Sequence, residues 1–243
     1  MLILALDAST DIVTTAVARV EGDAVPKDRG FLGPKTKREI LAEISIPSRG
    51  GSEALLPAVH NALSLSGVDL DRVECILAGI GPGTFTGIRI ALATARSLAL
   101  ATRATLSKNS TLAALAAPAL LNVQEPLVLA VLDAKRRQVF AQHFAEDGAH
   151  GEILCVTPEE LSAKDVPLKR DMLIVGDGAV RYRRELSSLG RIPPDASLLH
   201  RVTAVGHVLS ADLTPVSPGE VVPLYIREPD AEVRRDLNPW SRA

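Results

Sequence analysis

Twice in this chain a short apolar run ends in Asp-Ala, passes through a polar turn and resumes as a second apolar or alternating stretch. Residues 2–6 (LILAL) close on Asp7-Ala8-Ser9-Thr10-Asp11 and lead into residues 12–20; residues 127–132 (LVLAVL) close on Asp133-Ala134-Lys135-Arg136-Arg137 and lead into residues 138–144. Strand, tight polar turn, strand is the pattern of a β-hairpin. Each hairpin is followed by another apolar run that enters a glycine turn and then a helix. In the first copy residues 73–80 run into Gly81-Pro82-Gly83-Thr84-Phe85-Thr86-Gly87; in the second, residues 172–175 run into Gly176-Asp177-Gly178. Runs of that kind suit strands buried on both faces of a parallel sheet. The pattern predicts an internal duplication of a hairpin-led α/β unit, the second copy trimmed. Coincidence is the alternative, because apolar run, Asp and turn is a common string.

Between these landmarks, residues 40–47 read as a strand. Residues 52–66 read as a helix with Leu56, Val59 and Leu63 on one face, stopped by Gly67 and tolerating Pro57 only in its first turn. An Ala/Leu-rich helix is expected over residues 84–103 and a further one over 202–213, before an irregular segment marked by Pro215, Pro218 and Pro223. Residues 21–38, with Gly22, Pro26, Gly30, Gly33 and Pro34, read as an exposed loop, and the charged last fifteen residues as a mobile end. A length of 243 residues corresponds to one or two domains.

Composition removes several functional classes. The apolar fraction of 47% excludes global disorder. With 27 Lys and Arg against 29 Asp and Glu, the net charge is -2, so the basic excess of a protein that grips a polyanion alone is missing. Four Phe, two Tyr and one Trp argue against an extended base-stacking platform. Cys75 and Cys155 form no CxxC pair and read as small buried hydrophobes of a reducing compartment. No signal-peptide pattern and no membrane-length apolar stretch occurs, which predicts a cytosolic, soluble chain.

Candidate sites each carry two readings. The segment 81–87 joins a strand to a helix, the place where backbone N–H groups and a helix N-terminus cradle phosphate. It is not a Walker A motif, and a tight turn with Thr84 capping the helix and Gly87 permitting close packing uses the same residues. Asp7, Ser9 and Thr10, with Gly81, Gly83 and Thr84, make a possible nucleotide or phosphate loop. Asp7, Ser9 and Thr10 equally suit an Asx or ST turn. Asp133 with Lys135 and Arg136 has the same pair of readings. The histidines His60, His143, His150, His200 and His207 show no HxxxH or HExxH spacing, and no GxSxG elbow is present, so neither a metal site nor a hydrolytic nucleophile is expected. The helix after residue 84 is apolar nearly all round, which predicts burial on two sides, either in its own core or against a partner.

The segments ILALDAST (3–10), SEALLP (52–57), AGIGPGTFTGIRIALATARSLALA (78–101), LDAKRRQVFAQHF (132–144) and PLYIR (223–227) resemble the bacterial TsaB (YeaZ) family. The resemblance implies an α/β fold of two tandem RNase H-like subdomains of the actin/hexokinase superfamily, residues 1–107 and 108–243. It also implies a non-catalytic subunit required for threonylcarbamoyl transfer to the adenosine beside the anticodon of tRNAs reading A-starting codons. Such a subunit dimerises with the metal-bearing paralogue TsaD, is joined by the ATPase TsaE, and meets tRNA through the complex. ATP or ADP and the metal belong to that complex and not to this chain; a homodimer in isolation is allowed, a membrane partner is not. Leu55, Leu56, Val59, Phe85, Ile88, Leu92, Ala95 and Arg96 are the expected partner face. An ATP-dependent phosphotransferase using Asp7 and the glycine loop, or a metallopeptidase, are the rival readings. Relatives often carry His-Ser-Glu where Gly51-Ser52-Glu53 stands, and the loop at 21–38 is longer than theirs.

Overall fold

The computed structural model describes residues 1–21, 37–48, 53–122, 127–163 and 172–227. Most of the expected loop at 21–38, Gly51 and the charged end therefore lie outside the described residues.

The first apolar run is β1 (Leu2–Asp7), which pairs antiparallel with β2 (Ile12–Glu21), and β2 pairs in turn with β3 (Lys37–Pro47). Helix α1 (Leu55–Ser66) leads to β4 (Cys75–Gly79), parallel to β1, and α2 (Phe85–Thr102) leads to β5 (Thr105–Asn109), parallel to β4. The sheet order is β3-β2-β1-β4-β5. Helix α3 (Thr111–Asn122) opens the second half. There β6 (Val128–Lys135), β7 (Gln138–Ala145), β8 (Gly148–Val156), α4 (Pro158–Ala163) and β9 (Leu173–Val175) form a second sheet, ordered β8-β7-β6-β9. Three short helices follow: α5 (Asp177–Arg181), α6 (Arg183–Leu186) and α7 (Ala204–Ser210). The hairpin-led unit is repeated, its second copy one strand shorter. The fold is α/β, with two RNase H-like mixed sheets.

Alternation along β1 sorts its side chains between two layers. Leu4 and Leu6 face α1 and α2, packing with Ile76, Ala78, Leu55, Ala58, Ile88 and Leu92. Ile3 and Ala5 face the other way, with Leu77 and Cys75, and are covered by Ala204, Val208, Ala211 and Leu213 of the α7 region. Each fully buried Leu or Ile of these layers contributes about 1.5–3 kcal/mol of transfer free energy.

Helix α7 thus lies far along the chain but belongs to the first sheet, which supplies its end partners. Thr14 Oγ1 accepts from Ala204 N (2.8 Å), and Glu43 Oε1 accepts from Val205 N (2.9 Å). At the other end the Arg38 guanidinium donates to the carbonyls of Val208 and Ala211. Orphan N–H and C=O groups at both helix ends are satisfied in this way. On its outer side α7 meets α3, where a Cβ on Gly206 would lie 2.1 Å from Ala114 O. The layers therefore run α1/α2, first sheet, α7, α3, second sheet.

Several expectations need correction. Strand β5 ends at Asn109, and the chain beyond it contributes α7 to the first sheet. Helix α1 begins at Leu55, so Pro57 does fall in its first turn; α7 spans only part of 202–213, because Thr203 caps it through Gly206 N (3.0 Å) and Ala211 is already extended. Thr84 stands at the N-cap position of α2 without a side-chain cap bond. Cys75 is buried, as read, but Cys155 is only half-buried on β8. Five of the eight expected partner-face residues, Leu55, Val59, Ile88, Leu92 and Ala95, point into the first core and are at most 4% exposed.

Candidate functional site

The parallel pair β1–β4 ends with Asp7 beside Gly79, and the fit is tight: a Cβ on Gly79 would lie 2.3 Å from Asp7 Oδ2. Asp7 is itself fully buried. One carboxylate oxygen, Oδ1, accepts from Ser9 N; the other, Oδ2, accepts from Thr111 Oγ1 at 3.0 Å and pairs with His207 Nε2 at 2.6 Å. The network extends through Ser9 Oγ to Thr111 Oγ1 (2.9 Å). On the far side of the imidazole, Asn109 Nδ2 lies 3.4 Å from His207 Nδ1 and donates to Ser210 Oγ (2.7 Å). Burial by itself would push the Asp7 carboxyl up. The His207 hydrogen bond and charge, with the donors of Ser9, outweigh it and hold the group below the usual carboxylate value. A buried carboxylate so partnered is a satisfied one.

The glycine segment lies flat on the β1–β2 turn. Thr84 N, an amide a phosphate cradle would aim at its ligand, donates to Ser9 O (2.6 Å). The space beside Gly83 and Gly87 is filled by protein: a Cβ would sit 2.1 Å from Ser9 O and 1.8 Å from Ala8 O respectively. Gly81, at φ 99° and joined to Pro82 by a cis peptide bond, accepts from Thr111 N (2.8 Å) and so ties the loop to α3. The structure brings Asp7, Ser9, Gly81, Gly83 and Thr84 together, with the space between them occupied by the chain. Thr10 closes a local turn through Ile12 N and O, both at 3.2 Å. Asp133 likewise serves its own turn, accepting from Lys135 N (3.0 Å) and pairing with Arg181 (3.4 Å).

His207, Thr111 and Asn109 escaped the sequence reading of this centre. The available signal was a lone histidine inside an otherwise small and apolar predicted helix.

A different feature faces solvent. A groove of about 510 Å³ runs between α1 and α2, lined by Leu56, His60, Leu63, Val68, Leu70 and Leu98 among others. Leu56 is 59% exposed at its wall and Leu100 84% exposed on α2, while Arg96 is exposed and donates to Val221 O. Phe85 is exposed as well, at the start of α2. Among the described residues no group of three or more His, Cys, Asp or Glu is placed to hold a metal ion, and no helix is long and apolar enough to cross a membrane.

Residues 41–164 match the family model described as TsaD: tRNA N6-adenosine threonylcarbamoyltransferase. The tRNA threonylcarbamoyladenosine biosynthesis protein TsaB of Escherichia coli is 30% identical over 57% of this chain and 62% of its own length. Its Haemophilus influenzae namesake is 30% identical over 57% of this chain and 51% of its own length. This chain thus spans less than two thirds of either relative. An uncharacterised protein of Mycobacterium tuberculosis is 27% identical over 95% of this chain and 93% of itself. Among solved structures, YeaZ from Pseudomonas aeruginosa superposes with a TM-score of 0.69 at 26% identity, covering 93% of this chain and 99% of that one. Component A of the (R)-2-hydroxyglutaryl-CoA dehydratase of Acidaminococcus fermentans shares the fold alone, with a TM-score of 0.50 at 13% identity over 87% of this chain and 98% of that one.

Proposed function

Because the chain belongs to the TsaB (YeaZ) family, we propose that it serves tRNA threonylcarbamoyladenosine biosynthesis as a non-catalytic subunit that pairs with the metal-bearing paralogue TsaD and activates it. TsaE and the tRNA join through the resulting complex. The observation that carries this reading is the apolar groove between α1 and α2, whose exposed Leu56 and adjoining Leu63 and Leu98 offer a partner helix an anchor. An open apolar groove edged by polar residues fits helix-in-groove docking, and in the absence of TsaD the same face can pair with a second copy of this chain.

The Asp7 centre supports the non-catalytic part. A phosphotransferase of this fold needs a carboxylate and a glycine loop that reach magnesium and phosphate, and here His207, Thr111 and Ser9 take up the carboxylate while Ala8 and Ser9 fill the loop.

The deciding experiment is modification of tRNA in vitro with TsaD, TsaE and the enzyme that forms the threonylcarbamoyl adenylate, with and without this chain. Modification at least tenfold slower without the chain, together with no ATP turnover by the chain alone, is expected. Equal modification with and without it overturns the subunit role. ATP turnover by the isolated chain overturns the non-catalytic role.

A further inference from the structure

The β6–β7 hairpin turns through Arg136 and Arg137, and it does so against their backbone preference. Lys135, Arg136 and Arg137 have φ of 60°, 51° and 60°, the left-handed region that an Asn-Gly turn enters without strain. All three are exposed. Two positive side chains therefore occupy the tip of a turn whose geometry asks for other residues, which marks a site where charge outranks local propensity.

A second feature lies beside it. Arg227 Nη1 is held against this hairpin by Ala134 O (3.2 Å) and Gln138 Oε1 (3.3 Å). Two residues earlier, Tyr225 stacks on Phe85 with ring centroids 5.3 Å apart and planes 21° from parallel. The Arg89 guanidinium sits 3.7 Å over Phe85, and its Nε donates to Tyr225 Oη at 2.9 Å. Phe85 and Tyr225 are 42% and 40% exposed. No more than about 7 Å of chain separates the Tyr225 and Arg227 Cα atoms. Residues 225–227 thus link the surface of the ring pair to that of the basic turn. Among the described residues its cations include Arg89, Lys135, Arg136, Arg137, Arg181 and Arg227, and the acids there include Asp11 and Asp133, paired with Lys135 and Arg181, and Asp177, which accepts from Asp133 N.

We propose that this surface binds RNA, the Arg136-Arg137 turn meeting backbone phosphates and the Tyr225 ring meeting an unpaired base. Guanidinium to phosphate and ring to base are the two contacts by which single-stranded RNA is held. The choice of a tRNA anticodon arm as that RNA rests on the function proposed above. Because the chain as a whole lacks a basic excess, the contact is an auxiliary one, weak in isolation and additive to whatever the rest of a complex supplies.

The test is fluorescence anisotropy of a labelled anticodon stem–loop RNA with the full chain at low salt. The principal variant is Arg136→Asn/Arg137→Gly, which removes both charges while installing a turn of unstrained geometry. It is expected to melt at or above the wild-type temperature and yet to bind at least tenfold more weakly, with a salt slope smaller by about 1.4 for two lost phosphate contacts. Tyr225→Ala is expected to weaken binding with the slope unchanged. The control Arg72→Glu/Arg103→Glu, at the opposite ends of β4 and β5, is expected to lose less than twofold. No saturable binding by the wild type, undiminished binding by the turn variant, or an equal loss in the control overturns the proposal. Gel filtration with TsaD judges the pairing reading separately, since the anisotropy needs no partner.

Discussion

Asp7 closes β1 beside the glycine turn, and its partners come from distant parts of the chain: Thr111 from α3 and, 200 residues away, His207 from α7. Removing one member of a buried pair leaves the other without compensation, at a cost of about 3 kcal/mol. His207→Ala is therefore expected to lower the unfolding free energy by about that amount in urea titrations at pH 7. The pH dependence follows from Asp7. Its folded pKa is depressed, so its contribution is complete above the unfolded value of about 3.9 and is lost as pH falls through the lower folded value. The stability deficit of Asp7→Asn should accordingly be full at pH 7 and shrink below pH of about 3.9; a deficit that grows on acidification would refute the assignment. The thiols give a second check at this scale. Burial pushes Cys75 up to about 11, while half-buried Cys155 is raised less severely by its own burial and eased by Arg227. Iodoacetamide at neutral pH should label native Cys155 well before Cys75, as peptide mapping would read.

At the scale of elements, α1 and α2 each have a core face and an open face, and the two faces answer mutation differently. Leu92 is buried against the first sheet, so Leu92→Ala should cost about 2–5 kcal/mol. Leu56→Arg, on the groove wall, should shift stability by less than about 0.5 kcal/mol while abolishing co-elution with TsaD. A folded Leu56→Arg chain that still co-elutes would move the partner to another face. Periodicity found both helices but did not separate these faces, because an Ala/Leu helix that is apolar nearly all round has no polar stripe to mark its outside. The same physics explains what was legible elsewhere. Both hairpins, the parallel strands β4 and β9 and the glycine turn carry local signals: apolar runs, Asp turns and glycine. By contrast β5, with Thr105, Ser107, Lys108 and Asn109 around a single Leu106, shows no strand pattern, and its pairing is set by β4. Helix α3 is apolar throughout with Pro118 inside it, so neither period nor propensity announces it. Strand β8 is a polar edge containing Gly148 and Gly151. The Asp7 half of the buried centre was visible at its turn; the His207 half depends on a contact that only the finished fold creates.

At the scale of the whole molecule, the question is whether the two sheets are independent bodies or one. Helices α3 and α7 decide it, because α3 packs on the second sheet, α7 packs on the first, and each is buried by the other. Their close approach rests on Gly206, where a Cβ would lie 2.1 Å from the Ala114 carbonyl, an atom of rigid backbone. Gly206→Ala must therefore push the two helices apart, and overpacking of that kind costs about 1–3 kcal/mol. If the paired helices form a shared layer, the wedge loosens both sheets. Hydrogen exchange should then show protection falling together at Leu77 in β4 and Leu129 in β6, and calorimetry should show one cooperative transition moved to lower temperature. Loss confined to Leu77, or a transition split in two, would mean that the first sheet with α7 unfolds alone and that the second half folds without it. A single transition makes α7 a condition for the proposed partner face: with α7 displaced, Ile3, Ala5 and Leu77 lose their cover and Asp7 its His207. The first sheet that supports α1 and α2 then has no stable fold on which to present the groove.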